Sequence, residues 1–154
     1  MKILPLVFLF LFSFSSFSQH TEEELEAKAT IDAFFEAFHK KDSVALKEFG
    51  HPDIAMQSIA VGPDGSTKFS SGNYSDFVKT IVSIPESTKF KERLLTYDII
   101  INGSMATVIT DYSFYINGEL KHCGVNNFQL FKENEEWKIV YIIDTRTTKN
   151  CISE

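Results

Sequence analysis

Residues 89–131 read KFKERLLTYDIIINGSMATVITDYSFYINGELKHCGVNNFQLF. Two Asn-Gly dipeptides, Asn102-Gly103 and Asn117-Gly118, divide this stretch into Lys89–Ile101, Ser104–Ile116 and Glu119–Phe131. All three runs alternate in polarity and are rich in Ile, Val, Tyr, Phe and Thr, the signature of strands. Asn-Gly is what a two-residue type I′ hairpin turn demands, because both central residues need positive φ. Trp137–Thr147 repeats the pattern, so the sequence predicts a four-strand meander whose register can be counted.

With two-residue turns, Asp98 falls opposite Thr107, Leu94 opposite Asp111, Asp111 opposite Gly124 and Ser113 opposite His122. A longer last turn centred on Asn134 sets Gly124 opposite Asp144 and His122 opposite Arg146. One face then gathers Asp111, Ser113, His122, Asn126, Asp144 and Arg146 above an apolar floor that includes Ile109, Phe128, Leu130, Val140 and Ile142. Polar groups converging over an apolar floor are what small-molecule pockets usually show. The other face carries Tyr97, Ile99, Val108, Tyr112, Phe114, Val125, Ile139, Tyr141 and Ile143. A single bulge would invert part of this count.

Upstream, Thr21 followed by Glu22, Glu23 and Glu24 has the form of an N-cap with an acidic first turn. The helix it opens is expected to reach about Lys40, with Ala27, Ile31, Phe34, Phe35 and Phe38 in one apolar stripe and His39 as a solvated charge at its end. Asp42 caps a short helix through Phe49, and His51-Pro52-Asp53 ends it. Ile54–Val61 reads as a strand, Gly62-Pro63-Asp64-Gly65 as a turn, and Ser75 or Asp76 as the start of a third helix through about Ser83, with loop between. The order is that of an α+β domain: three helices from the N-terminal half packed on a strongly curved, mainly antiparallel sheet.

The first residues are of a different kind. Lys2 precedes the apolar run Ile3–Phe12, and Ser16-Phe17-Ser18 supplies small residues at a cleavage site, the layout of a secretory signal peptide. The run is shorter than the ~20 residues that span a bilayer. Residues 1–18 are therefore expected to be a signal peptide and 19–154 a single secreted or periplasmic domain, without membrane contact after cleavage. Five of the 15 Phe lie in that segment and overstate the core. A net charge of −6 and the lack of a Lys/Arg cluster exclude a nucleic-acid footprint. Cys123 and Cys151 are the only cysteines, and no spacing suggests zinc, so neither metal nor cofactor is expected. The two could pair in an oxidising compartment; otherwise Cys123 is a small buried apolar residue and Cys151 a tail thiol.

Ala33-Phe34-Phe35-Glu36-Ala37-Phe38-His39-Lys40-Lys41-Asp42, His51-Pro52-Asp53 at the first strand, and Trp137-Lys138-Ile139-Val140 with Asp144-Thr145-Arg146 give residues 21–148 a resemblance to the nuclear transport factor 2-like superfamily, also called the SnoaL-like or cone-shaped fold. The resemblance implies helices on the concave side of the sheet and a second subunit on the convex side, hence a homodimer. It names no activity, since the superfamily includes ketosteroid isomerases, dehydratases, polyketide cyclases and transport factors.

Three functions fit these residues. One is an exported domain that binds a small apolar or aromatic molecule through Asp111, His122, Asn126, Phe128, Asp144 and Arg146. Another is an isomerase, dehydratase or cyclase with Asp111 or Asp144 as base, and His122 or Tyr74 as hydrogen-bond donor. Its mark would be a deep pocket with one carboxylate raised in pKa by burial and lacking an Arg partner. The third is an interaction module using the apolar face, where Tyr97, Val108, Tyr112, Val125, Tyr141 and Ile143 would form a patch. A purely structural role for the polar cluster, Arg146 gripping Asp144 or Asp111, is the plainest alternative.

Overall fold

Thr21 caps the first helix, α1 (Glu22–Lys40), through a complete capping box: its side chain accepts from the Glu24 N–H while the Glu24 carboxylate accepts from the Thr21 N–H. The structure, a computed structural model, describes residues 21–152, so the expected signal peptide lies outside the described residues. Asp42 caps α2 (Ser43–Phe49), accepting from Val44 and Ala45 N–H. The chain continues through β1 (Gly50–Val61), β2 (Thr67–Asn73), α3 (Tyr74–Ser83), β3 (Phe90–Leu94), β4 (Asp98–Asn102), β5 (Met105–Ile116), β6 (Glu119–Glu133) and β7 (Glu136–Arg146).

The strands form one sheet in the order β2-β1-β7-β6-β5-β3, with β4 also paired to β5. Every pairing is antiparallel except β1 with β7. Helix α1 lies on the concave face, where Phe34 and Phe35 each meet the Phe128 ring at 5.8 Å. Helix α3 closes beside it, Phe77 stacking on Phe38. Strand β2 was expected to be loop. All of its residues are exposed and its composition is polar, because it is an outer edge paired only to β1 and needs no apolar face.

Within β3–β7, three departures from regular pairing decide which residues face the helices. The first is in the expected strand Lys89–Ile101, which is two strands. Leu94 pairs with Tyr112, but Asp98 pairs with Ile109, so the two segments meet β5 in registers that differ by one residue. The second is a bulge in β6: Tyr115 pairs with Leu120 but Phe114 with His122, leaving Lys121 extra. The third is in β7, where Leu130 pairs with Ile139 and Gln129 with Tyr141, leaving Val140 extra.

The turns also differ in part. Asn117-Gly118 has both φ values positive, as expected. The previous hairpin instead turns at Gly103-Ser104, with Asn102 paired to Met105 and only Gly103 at positive φ. The last hairpin is a two-residue loop, Asn134-Glu135, both at positive φ. Since a shift of one residue sends a side chain to the opposite face, β5 is inverted relative to the sequence count. Val108, Tyr112 and Phe114 face the helices, whereas Asp111 and Ser113 point to the convex side.

A disulfide joins Cys123 to Cys151, so the two cysteines pair rather than staying free. It straps the C-terminal tail across β6, assisted by reciprocal Cys123–Thr147 backbone hydrogen bonds of 2.9 Å. Ser113, buried on the convex side, donates to the Ile152 carbonyl at 3.0 Å beneath that strap.

Candidate functional site

The concave face is filled at one end and hollow at the other. Ala106, Val108, Leu130 and Ile139 are fully buried beneath α1. Toward the other end the sheet curls away from α1 and α3 and leaves a cavity of about 270 Å³. Its apolar wall is largely aromatic: Phe34, Phe35 and Phe38 from α1, Phe77 from α3, and Phe114 and Phe128 from the sheet. Its polar end is made by Glu92, Tyr112, His122, Asn126, Asp144 and Arg146.

Each polar side chain has a traceable support. Asn126 donates from Nδ2 to Glu92 Oε1 at 2.7 Å and lies 3.5 Å from Thr110 Oγ1, a hydroxyl with no solvent exposure. Arg146 donates from Nε to Asp144 Oδ2 at 2.6 Å and from Nη2 to Oδ1 at 3.4 Å. His122 stacks on Phe114 with centroids 4.7 Å apart and meets the edge of Tyr112 at 5.8 Å, an orientation set by the β6 bulge. Tyr112 donates to the Thr145 carbonyl at 2.9 Å. Gly124 permits this approach of β6 and β7: a Cβ there would lie 1.8 Å from the same carbonyl oxygen.

Burial sets the electrostatics. Glu92 is half-buried among these groups, and its pKa is raised to about 7, chiefly by desolvation. The Asn126 hydrogen bond opposes that shift, the charge of Asp144 adds to it, and the charge of Arg146 opposes it. Burial, followed by the Arg146 charge, holds His122 below its ordinary value, so its imidazole is neutral at pH 7. Behind β3, His39 accepts from the Glu92 backbone N–H at 2.9 Å and is likewise lowered by burial. It is thus a half-buried acceptor rather than the solvated charge expected at the end of α1.

Of the residues singled out in the sequence, His122, Asn126, Phe128, Asp144 and Arg146 meet at this cavity and Asp111 does not. Asp111 is exposed on the convex face, where it accepts from the Thr96 hydroxyl at 2.8 Å. Tyr74, considered as a donor, is buried with its hydroxyl bonded to the Leu46 carbonyl. His51 holds its turn, accepting from Asp53 N–H. Glu92 was missed, although its signal was present: Phe90 and Leu94 are apolar at even positions, then Tyr97, Ile99 and Ile101 at odd ones. A change of parity inside a strand marks a break in register.

No protein-family model matches the chain, and no curated protein sequence does either. Solved structures do. A nuclear transport factor 2-like protein of unknown function from Shewanella baltica superposes with a TM-score of 0.61 at 19% identity, covering 86% of this chain and 99% of its own. The fold is nuclear transport factor 2-like. A superfamily protein from Salmonella enterica gives a TM-score of 0.61 at 20% identity, over 85% of this chain and 95% of the other. A proposed dehydratase of the same fold family from Streptomyces avermitilis gives 0.59 at 16% identity, over 81% and 96%. At these identities the likeness is one of fold, and function is argued from the pocket.

Proposed function

We infer that this is an exported domain that binds a small, largely apolar or aromatic molecule in the concave pocket. The observation that carries the reading is the cavity itself: Phe34, Phe38 and Phe128 form its wall yet leave about 270 Å³ open beside polar groups. Export is supported by the Cys123–Cys151 disulfide, because such bonds persist in oxidising compartments. Screening a metabolite library by thermal shift tests the binding reading. A ligand at 100 times its dissociation constant should stabilise the fold by about 2.7 kcal/mol. Absence of any shift, with the cavity found filled by its own side chains, overturns it.

A second reading, acid–base catalysis of the isomerase, dehydratase or cyclase kind, is favoured by one specific observation. Glu92 is a carboxyl raised to about 7 by burial, and its hydrogen bond is to an amide rather than to Arg146. A group poised near the working pH is suited to moving a proton in either direction. Glu92 takes the place that Asp111 was expected to fill. Turnover with a bell-shaped or sigmoid pH profile that Glu92→Gln abolishes, with the fold retained, would establish it; ligand binding without turnover favours the first reading.

Homodimerisation through the convex face is also proposed, with a revised patch. Val108 and Tyr112 are buried in the monomer and Tyr97 turns to α1, where its hydroxyl donates to Asp32, so Val125, Tyr141 and Ile143 remain from the expected set, joined by the exposed Met105 and Phe131. Sedimentation as a well-folded monomer would overturn this.

A further inference from the structure

The polar end of the pocket is unevenly charged. Two carboxylates reach it, Glu92 from β3 and Asp144 from β7, against one guanidinium, Arg146, whose Nε and Nη2 are already engaged with Asp144. Glu92 holds only the Asn126 amide, on Oε1, which leaves Oε2 without a hydrogen-bond partner among the described residues. The adjacent wall is built of phenyl rings, whose faces carry the negative end of the aromatic quadrupole. His122, neutral at pH 7, adds a nitrogen lone pair.

Resting on the reading that this pocket takes a small molecule, we propose that its ligand is an organic ammonium: a protonated amine carried on an aromatic or aliphatic body. The nitrogen sits at Glu92 Oε2 and the body lies against the Phe34, Phe38 and Phe128 rings. A cation is the ligand charge that the open Glu92 oxygen favours, by charge-assisted hydrogen bonding, while the one guanidinium at this end is taken up by Asp144. A carboxylate or phosphate head would meet two carboxylates and the negative ring faces. With a neutral head Glu92 would instead keep its proton, and the site would form no charge-assisted bond to the ligand.

The proposal carries a pH signature. The groups around Glu92 are Tyr112 from β5, His122 from β6, Asp144 and Arg146 from β7, and His39, Asp32 and Glu36 from α1, with Lys91 and Arg93 flanking it on β3. Glu92 itself changes charge near pH 7. An ammonium must displace its proton below that pH, so affinity should rise about tenfold between pH 6 and pH 8 and then level off.

Three probes that share one arene and differ in the head group test this: 2-phenylethylammonium, 2-phenylethanol and phenylacetate, titrated into the folded protein and followed by NMR. At pH 8 the ammonium should bind about tenfold tighter than the alcohol, with phenylacetate weakest. Glu92→Gln should bring the ammonium down to the level of the alcohol and remove the pH dependence of its binding. If that variant does not fold, the pH dependence in the unmodified protein decides the matter. Equal or tighter binding of the alcohol or of phenylacetate, or an ammonium affinity that is flat from pH 6 to pH 8, overturns the proposal while leaving the pocket reading intact. Failure of all three probes to bind overturns the ammonium proposal, and the thermal-shift screen then decides the pocket reading separately.

Discussion

The β3 and β7 sides of the pocket each contribute one carboxylate, and the two are held in opposite ways. Asp144, on β7, is gripped through both its oxygens by Arg146, a residue of the same strand. Glu92, on β3, faces across the sheet to an amide and is raised to about 7. In one cavity the same functional group is therefore ion-paired on one side and bonded to a neutral amide on the other. Two causes separate them: Arg146 stands two residues from Asp144 on the same face of β7, where pairing is local, whereas Glu92 is raised chiefly by desolvation and has no cation in the corresponding position on β3.

Both sides rest on one floor, and removing it should have the largest effect. Phe128 is 1% exposed and touches the rings of Phe34 and Phe35. Phe128→Ala should cost about 3–5 kcal/mol in urea denaturation, the usual range for a buried aromatic. A loss well below that would mean that the cavity collapses easily, and that the contrast between the two sides is soft. The disulfide acts nearer the β6–β7 side only. Cys151→Ser should cost about 3–4 kcal/mol, because the bond closes a loop with a sequence separation of 28. The Glu92 titration should survive that change, and its disappearance would show that the strap shapes the pocket.

Legibility followed the same division. The β6 and β7 residues His122, Asn126, Asp144 and Arg146 were placed on one face because two miscounts there cancelled. The last turn is one residue shorter than expected and β7 carries a bulge, so Asn126 pairs with Asp144 and facing is preserved. Strands β3 and β5 had no such compensation. Strand β5 has apolar residues at adjacent positions, Val108 and Ile109, so its hydrophobic pattern does not choose a face. The β6 bulge at Lys121 then reversed it, putting Asp111 outside and Tyr112 inside. The helices were read nearly to the residue because capping is local: Thr21 and Asp42 bond within their own first turns.

The next effect in size isolates the β3 side. An acid whose pKa is higher folded than unfolded keeps its proton in the folded state after the unfolded chain has lost it. Stability is then greatest below the unfolded value and falls as pH rises through the folded one. For Glu92 that window runs from its ordinary 4.5 to about 7. The unmodified protein should lose about 2–3 kcal/mol from this group across the window. Glu92→Gln should lose none of that component, matching the parent near pH 4.5 and exceeding it at pH 8. Denaturation curves at several pH values check this, and parallel profiles for the two proteins would show that Glu92 is not the group that titrates.

The smallest effect asks whether the two sides communicate. Asp144→Asn removes the partner of an Arg146 side chain that is 53% exposed, so solvent screens the pair and the loss should be only about 1 kcal/mol. Its more informative consequence is on Glu92. Asp144 raises the Glu92 pKa and Arg146 lowers it, so deleting the first charge and releasing the second act in the same direction. The upper end of the pH window should move below 7, and ammonium binding should reach its plateau at lower pH than in the parent. Desolvation is the largest cause of the Glu92 shift and is untouched by this substitution, so the window should narrow without closing. A window whose upper end stays in place would mean that the carboxylates of β3 and β7 share a cavity without sharing a field, and the ligand nitrogen would then answer to Glu92 alone.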